Sequence, residues 1–167
     1  MLAKVVVPVG VLFILSACGG SGTSTVGLTQ GVSGDGFTIL VAEGWKVSGA
    51  GQGKVRARNG ESLVSVTAFP LLKPYDPGKF DAAAKELDGI AAKLAAQAGA
   101  ELTEKTTTTV DGRQVRAYRY TEGASEIRVG FVLVGKREYQ LLCRLPAGGA
   151  DPDGACSLLF ESFSAGS

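Results

Sequence analysis

The feature that most constrains the fold of this chain is a regular alternation of apolar and polar residues near its C-terminal end. The apolar positions are Ile127, Val129, Phe131 and Leu133, followed by Tyr139, Leu141, Cys143 and Leu145. Alternation at every second residue is typical of a strand that buries one face. Gly135-Lys136 separates the two runs and suits a short turn, so they are expected to form an antiparallel hairpin.

Further strands are predicted upstream, over residues 37–41, 45–47, 54–58, 62–69, 102–110 and 113–121. Asp111-Gly112 is the strongest hairpin signal in the chain, because both residues accept the left-handed backbone that a two-residue turn needs. Asn59-Gly60 supplies a similar turn earlier in the sequence. The strands are therefore expected to be antiparallel neighbours.

Two helices are predicted among the strands. The first is capped by Asp76, has Pro77 at its first position and ends at Gly99. Its apolar stripe is Phe80, Ala84, Leu87, Ala91, Leu94 and Ala98, and a terminal helix carries Cys156, Leu159, Phe160 and Phe163. An amphipathic helix among strands usually covers a sheet, with insertion into a partner's groove as the alternative. One α+β domain is therefore expected over residues 37–167, an antiparallel sheet covered by helices.

Residues 1–17 have the order of a secretory signal peptide. Lys4 precedes an apolar run of 11 residues, which is short against the roughly 20 that a membrane-spanning helix needs. Leu15-Ser16-Ala17-Cys18 then resembles the lipobox of bacterial lipoproteins. The resemblance implies cleavage before Cys18, a diacylglyceryl group on its thiol and a fatty acid such as palmitate on its amine. A secreted protein with a chance cysteine at this place is the alternative.

Lipid on Cys18 would attach the protein to the extracytoplasmic face of the cell membrane. The membrane is thus one predicted partner, and an envelope protein is the other. A single acyl chain binds a bilayer only marginally, whereas two or more chains hold stably. Residues 18–36 are rich in Gly, Ser and Thr and have little apolar content. They are expected to form a flexible tether that spans on the order of 20–25 Å.

The charge balance and the absence of histidine exclude several classes of function. Removal of Lys4 with the signal peptide leaves 16 of the 17 basic side chains against 16 acidic ones, which gives no preference for nucleic acid. Without histidine the chain lacks the usual general base and most zinc sites. No catalytic residue, cofactor or metal is predicted, and the chain is not expected to be an enzyme.

One acidic loop, Asp151-Pro152-Asp153-Gly154, faintly resembles a calcium-binding loop. It lacks a third ligand and the bidentate glutamate at the required offset. A turn followed by a helix cap is therefore the expected structure.

Cys143 and Cys156 are predicted to face the core from the last strand and the last helix. Outside the cytoplasm, two such thiols are expected to form a disulfide. A bond that closes a loop of about 14 residues would contribute around 3 kcal/mol in the chain-entropy model. Two buried free thiols are the alternative.

A basic patch is predicted on one face of a single strand, formed by Lys54, Arg56 and Arg58. Four later arginines could add to it: Arg116, Arg119, Arg128 and Arg137. Such a patch would bind phospholipid head groups or an acidic partner. A solvated sheet edge is the alternative, because cations there also discourage aggregation. Trp45 is expected in the core, with a ligand platform as its alternative.

This order of strands and helices resembles the PsbP-like α/β/α sandwich, a group that includes the Ran-binding Mog proteins and bacterial lipoproteins of the LpqN type. The segments that carry the resemblance are Phe37-Thr38-Ile39, Gly44-Trp45, the helix from Phe80, Phe131-Val132-Leu133, Tyr139-Gln140-Leu141 and the helix from Cys156 to Phe163. It implies a non-enzymatic domain that binds protein partners, often in the assembly of larger complexes.

Three functions follow from these expectations. The leading hypothesis is a lipid-anchored interaction module for envelope proteins. The second is a carrier or sensor that holds a lipid or another small ligand between the sheet and a helix. The third is an enzyme that works without histidine.

Overall fold

The computed structural model describes residues 28–146, 151 and 154–166. Ten strands are β1 Thr29–Gly34, β2 Phe37–Ala42, β3 Lys46–Ser48, β4 Lys54–Asn59, β5 Ser62–Pro70, β6 Leu102–Val110, β7 Arg113–Glu122, β8 Ser125–Val134, β9 Arg137–Leu145 and β10 Ser164–Ala165. The α-helices are α1 Phe80–Gln97 and α2 Ala155–Ser162. The predicted strands and helices are thus present.

Seven of the strands form one large antiparallel sheet in the order β3-β4-β5-β9-β8-β7-β6. A small sheet has the order β1-β2-β10 and is also antiparallel. The two-residue turns that the sequence predicts at Asp111-Gly112 and Gly135-Lys136 join their hairpins. The predicted α+β class, an antiparallel sheet with helices in one domain, is confirmed.

The large sheet is buried on both faces by different elements. The small sheet and α2 enclose one core with residues such as Val55, Val66 and Leu141. Helix α1 encloses a second core on the opposite face with Tyr118 and Phe131. The register Val129↔Leu142 shows that the alternating apolar residues of β8 point to α1 while those of β9 point to α2.

Helix α1 begins and ends as its sequence predicts. Asp76 caps a short 3-10 helix over Pro77–Lys79, where its carboxylate accepts a bond from the Gly78 amide at 3.0 Å. The α-helix continues from Phe80 and stops before Gly99, whose φ of +70° supplies the left-handed end. The side chains that face the sheet most closely are Leu87, Ala91 and Ala95.

The folded domain begins earlier than its sequence predicts. Residues Thr29–Gly34, assigned to the flexible tether, form β1 and pair with β2 along its whole length. That part of the tether prediction is wrong, because Val32 is buried in the core and Gly36, with φ +76°, allows the tight turn between the strands. Residues 1–27, with the signal peptide and Cys18, lie outside the described residues. No helix in the described part of the chain is long and apolar enough to cross a membrane.

Candidate interaction surfaces

The two helices cover opposite faces of the large sheet at different places. Helix α1 packs over β6 and β7. Helix α2 packs over β9 and β5 on the other face, together with β2. Each face is therefore uncovered where its helix ends. On the face that α1 covers, the uncovered area is formed by β3, β4 and β5. On the face that α2 covers, the uncovered area lies along β6. These two open areas are the candidate sites.

The first open area carries a cluster of cations, which we name the basic face. It is formed by Lys46, Lys54, Arg56 and Arg58. In β4 the cations alternate with the buried Val55 and Ala57, so they point to the α1 side. Lys46 lies directly opposite Arg58 across the β3–β4 pair. In the structure the three predicted residues of β4 therefore lie on one face, and Lys46 lies beside them.

The basic face differs from the other arginine-bearing regions of the described structure in that its cations form no ion pairs with carboxylates. The ion pairs of the remaining arginines are Arg113–Asp111, Arg116–Asp88, Arg119–Glu104, Arg119–Glu126, Arg128–Glu126, Arg137–Asp35 and Arg144–Glu122. No ion pair among the described residues includes a side chain of the basic face. Its charges are therefore not neutralised within the described part of the chain.

The later arginines do not join the basic face, contrary to the grouping that the sequence suggests. Arg116 lies beneath α1, bonded to Asp88 of that helix. Arg119 and Arg128 lie on the opposite side of the sheet. Arg137 bonds Asp35 at the turn between β1 and β2. Spacing alone separates Arg116 from Arg119, because residues three apart on one strand point to opposite faces. Which of these faces carries the basic face depends on the strand order, which residue spacing does not contain.

The sheet surface next to the basic face, on β5 and β9, contains both polar and apolar side chains. Arg56 lies opposite Ser65, which lies opposite Leu142 in the next strand. Ser65 is nearly buried and Leu142 is half-buried. Near the end of β5, the strand that contains Ser65, the Phe69 side chain is 44% exposed. A partner that covers the basic face would therefore also bury apolar surface.

A cluster around Asp88 holds α1 to the sheet. Its carboxylate accepts bonds from Arg116 Nε at 2.8 Å and Tyr118 Oη at 2.8 Å, and Lys105 Nζ lies at 3.4 Å. The bond from Arg116 is the main cause that holds the pKa of Asp88 far below its usual range. Burial raises the pKa of Tyr118, so its hydroxyl stays a donor. These charges are used within the fold.

The second open area is a groove of about 380 Å³ between α2 and β6–β8. Its lining includes Thr106, Thr108, Arg119, Arg128, Phe160 and Glu161. Phe160 packs over Gly130, where an added Cβ would lie 2.6 Å from the ring. Arg128 Nε bonds Glu126 Oε1 at 2.6 Å, whereas Arg119 Nε makes no hydrogen bond and lies 3.5 Å from the same oxygen. The Arg119 Nε is buried, and Arg119 Nη1 lies 3.3 Å from Glu104 Oε2, so both arginines are paired with carboxylates within the groove.

Cys143 and Cys156 form a disulfide in the structure, with their Cα atoms 5.6 Å apart and both side chains buried. The bond joins β9 to α2. Asp151 Oδ1 accepts a bond from the Cys156 amide at 3.0 Å, so this loop residue caps the helix. Among the described residues no cluster of side chains could hold a metal ion.

Trp45 lies in the core with 4% of its surface exposed. The core interpretation is therefore the right one, and the ligand-platform alternative is wrong. The same core contains the ring cluster of Phe37, Tyr139 and Phe163, whose centroids are 5.3–6.1 Å apart. Space for a ligand beneath the small sheet is thus filled by side chains.

Several solved structures resemble this chain, and two of them are described here. One is the solution structure of cyanobacterial PsbP (CyanoP) from Synechocystis sp. PCC 6803, with a TM-score of 0.62 and 20% identity, covering 90% of this chain and 98% of that chain. The other is a crystal structure from Bacteroides thetaiotaomicron, with a TM-score of 0.50 and 11% identity, covering 84% of this chain and 49% of that chain. No protein-family model and no curated protein matches the sequence. The likeness to the PsbP structure shows that the chain has the PsbP-like fold.

Proposed function

We propose that this protein is a lipid-anchored, non-catalytic module of the cell envelope that docks an acidic surface of a protein partner on its basic face. Lipid on Cys18 would attach it to the extracytoplasmic face of the membrane. The nearly neutral domain then meets its partner through one local concentration of charge. The PsbP-like fold supports a binding role rather than an enzymatic one.

The observation that carries the proposal is the contrast between paired and unpaired arginines. Six arginines have carboxylates within ion-pair distance, whereas Arg56 and Arg58 have none among the residues that the structure describes. Lys46 and Arg58 are like charges directly opposite each other, an arrangement that costs stability. A complementary acidic surface would remove that cost. Lys46 lies on the edge strand β3, where cations also discourage aggregation, and the capture experiment separates that role from docking.

The carrier alternative finds less support. The core between the sheets is occupied by Trp45 and the ring cluster. The groove beside α2 is at the lower end of the range for small-molecule sites, roughly 300–1,000 Å³. A lipid found by native mass spectrometry on the purified protein would support the carrier function instead.

The partner proposal is tested by crosslinking and capture from envelope preparations. The triple variant Lys54→Gln, Arg56→Gln, Arg58→Gln should lose the partner that the unaltered protein captures. The matched control is Lys73→Gln, Lys79→Gln, Lys85→Gln, which removes the same charge from exposed positions elsewhere. Equal capture by both triple variants would show that the basic face is not the docking site.

The anchor is tested separately by Cys18→Ser and membrane fractionation. The unaltered protein should incorporate labelled palmitate and sediment with membranes. The variant should incorporate none and be released. A variant that stays quantitatively in the membrane fraction would exclude attachment through Cys18.

A further inference from the structure

Helix α1 leaves part of its own face of the large sheet uncovered, and the strand register shows which side chains lie there. We name this area, between α1 and β4, the shelf. Three rows of residues cross it from β4 through β5 to β9: Arg58–Leu63–Arg144, Arg56–Ser65–Leu142 and Lys54–Thr67–Gln140. Unpaired cations therefore lie on the β4 side. On the other side Arg144 is paired with Glu122, and Leu142 packs against the α1 core.

The flank of α1 that borders the shelf is apolar. Asp88 lies on the other flank, where it bonds Lys105 of β6 and Arg116 of β7. Ile90 follows two residues later, which is a rotation of roughly 200° at 3.6 residues per turn, so it lies on the shelf side. Ile90 is 42% exposed, and Leu142 is half-buried. The shelf is therefore apolar next to α1 and basic on β4.

The width of the shelf fits one α-helix. In the order β9-β5-β4-β3, the distance from the first strand to the last is roughly 14 Å at the usual strand spacing. An α-helix with its side chains is about 10–12 Å wide. Packed helices lie roughly 8–10 Å apart, so a helix beside α1 would lie over β9 and β5. Its far flank would then reach the cations of β4.

The charges of the shelf indicate the chemistry of such a helix. Its β4 side carries Lys54, Arg56 and Arg58, and no ion pair within residues 28–146, 151 and 154–166 includes them. Glu138 lies one row beyond Gln140 on β9, at the end of the shelf farthest from Arg58. Acidic residues of a complementary helix would therefore face β4 and concentrate toward the Arg58 end.

We propose that the shelf binds an amphipathic helix of the partner protein, with its apolar stripe along α1 and its glutamate or aspartate residues against β4. The inference rests on the proposed function, because it uses the same cations, and it adds the form of the partner's acidic surface. Such a helix would bury Ile90 and Leu142 while its carboxylates pair with Arg56 and Arg58. Laying an amphipathic helix into a groove is a common mode of recognition. An extended acidic segment would pair with the cations but leave Ile90 exposed.

The test uses ¹⁵N-labelled protein with Cys18→Ser, which removes the proposed lipid site but no described residue. The probe is a capped peptide of about 18 residues, because shorter helices are marginal in water. Its leucines are spaced by three and four residues, and glutamates occupy one adjoining flank. At about 1 mM peptide, the amides of Ile90 and Leu142 should shift together with those of β4. Circular dichroism should show that the peptide gains helix on binding.

Two control peptides separate helix recognition from simple charge attraction. The first has the same composition in a scrambled order without an apolar stripe. The second keeps the stripe and has lysine in place of each glutamate. Both should bind at least about tenfold more weakly than the glutamate helix, because each matches only one half of the shelf.

Two substitutions at equally exposed positions test the apolar contact. Ile90→Gln should weaken binding of the glutamate helix by at least about threefold, because it removes apolar surface from the contact. Leu40→Gln, at a position that is 40% exposed on the small sheet, should leave binding unchanged. The triple variant Lys54→Gln, Arg56→Gln, Arg58→Gln should lose most of the binding.

Several results would overturn the inference. Absence of shifts at this concentration, equal binding of the helical and scrambled glutamate peptides, or unchanged binding by Ile90→Gln would each exclude a helix beside α1. The same shifts without peptide, as protein concentration rises, would make a second copy of this chain the occupant. The same shifts with phosphatidylglycerol vesicles would make the occupant a membrane.

The peptides also distinguish failure of this inference from failure of the proposed function. If both glutamate peptides bind equally and the triple variant abolishes both, the basic face still docks acidic surfaces, but not as a helix on the shelf. If the lysine peptide binds as well as the glutamate helix and the triple variant changes neither, both the inference and the docking role of the basic face are wrong.

Discussion

The groove and the basic face both expose arginines on open parts of one sheet, but the surrounding charges differ. In the groove, Arg119 and Arg128 share Glu126, and Arg119 also reaches Glu104. On the basic face, Arg56 and Arg58 have no carboxylate neighbour within the described residues. Paired arginines stabilise their own fold, whereas unpaired ones remain available to an outside charge. The difference therefore separates structural charges from candidate binding charges on the same sheet.

The largest expected effect on stability comes from removing the disulfide that joins α2, which lines one side of the groove, to β9. The double variant Cys143→Ala, Cys156→Ala should lower the free energy of unfolding by about 3 kcal/mol, because the bond closes a loop of roughly 14 residues. Chemical denaturation measures the loss, and reduced unaltered protein is the control. Hydrogen exchange should rise in α2 more than in β4. A loss below about 0.5 kcal/mol would show that α2 is held by packing alone.

The next effect concerns α1, the helix on the side of the basic face. Asp88→Asn should cost about 2 kcal/mol at about pH 7, since it weakens charge-assisted bonds to Arg116 and Tyr118. The pKa of Asp88 is lowered in the fold, so its contribution is present above the free-Asp pKa of about 3.9 and is lost as the pH falls through the lowered value. The difference from unaltered protein should therefore shrink on acidification. Glu86→Gln, exposed on the same helix, is the control, and a pH-independent difference would contradict this role.

A smaller effect is expected for a paired arginine of the groove. Arg128→Gln removes the 2.6 Å bond to Glu126 and should cost about 1 kcal/mol, the value for a partly exposed pair of good geometry. Thermal and denaturant unfolding measure this loss. If stability is unchanged, the pairs of the groove are no more structural than the cations of the basic face.

The smallest effect on stability is expected for the basic face itself. Arg56→Gln with Arg58→Gln should change the free energy of unfolding by no more than about 0.5 kcal/mol, because neither side chain forms an ion pair within residues 28–146, 151 and 154–166. Relief of repulsion with Lys46 could even stabilise the fold slightly. A loss as large as that of Arg128→Gln would indicate a structural role and weaken the assignment of these cations to a partner.

Local pattern was sufficient to predict most of the fold. The alternation in β8 and β9, the turn at Asp111-Gly112 and the stripe of α1 are properties of neighbouring residues, and the structure confirms them. The disulfide followed from two such patterns, which pointed Cys143 and Cys156 inward.

What the sequence could not predict depends on contacts between distant segments. Thr29–Gly34 has only Val32 to mark it as a strand, and it is ordered through its pairing with β2. The isolation of the basic face depends on where carboxylates of other strands lie. Lys46 carried one usable signal, since it follows Trp45 and alternates with Val47. The groove and the shelf required the strand order, which no local pattern contains.

If Cys18 is lipid-anchored as proposed, the pairing of β1 also limits how far the domain can stand from a bilayer. The carbonyl of Leu28 accepts a bond from the Glu43 amide at 2.8 Å, near the end of the sheet where Lys46 and Arg58 face each other. About ten residues separate Cys18 from Leu28, and even a fully extended chain of that length spans no more than about 35 Å. In the proposed lipoprotein, the length of this segment therefore sets a maximum distance between the membrane and the basic face. A partner must bring its acidic surface to the membrane, so integral or anchored proteins are the class to search first.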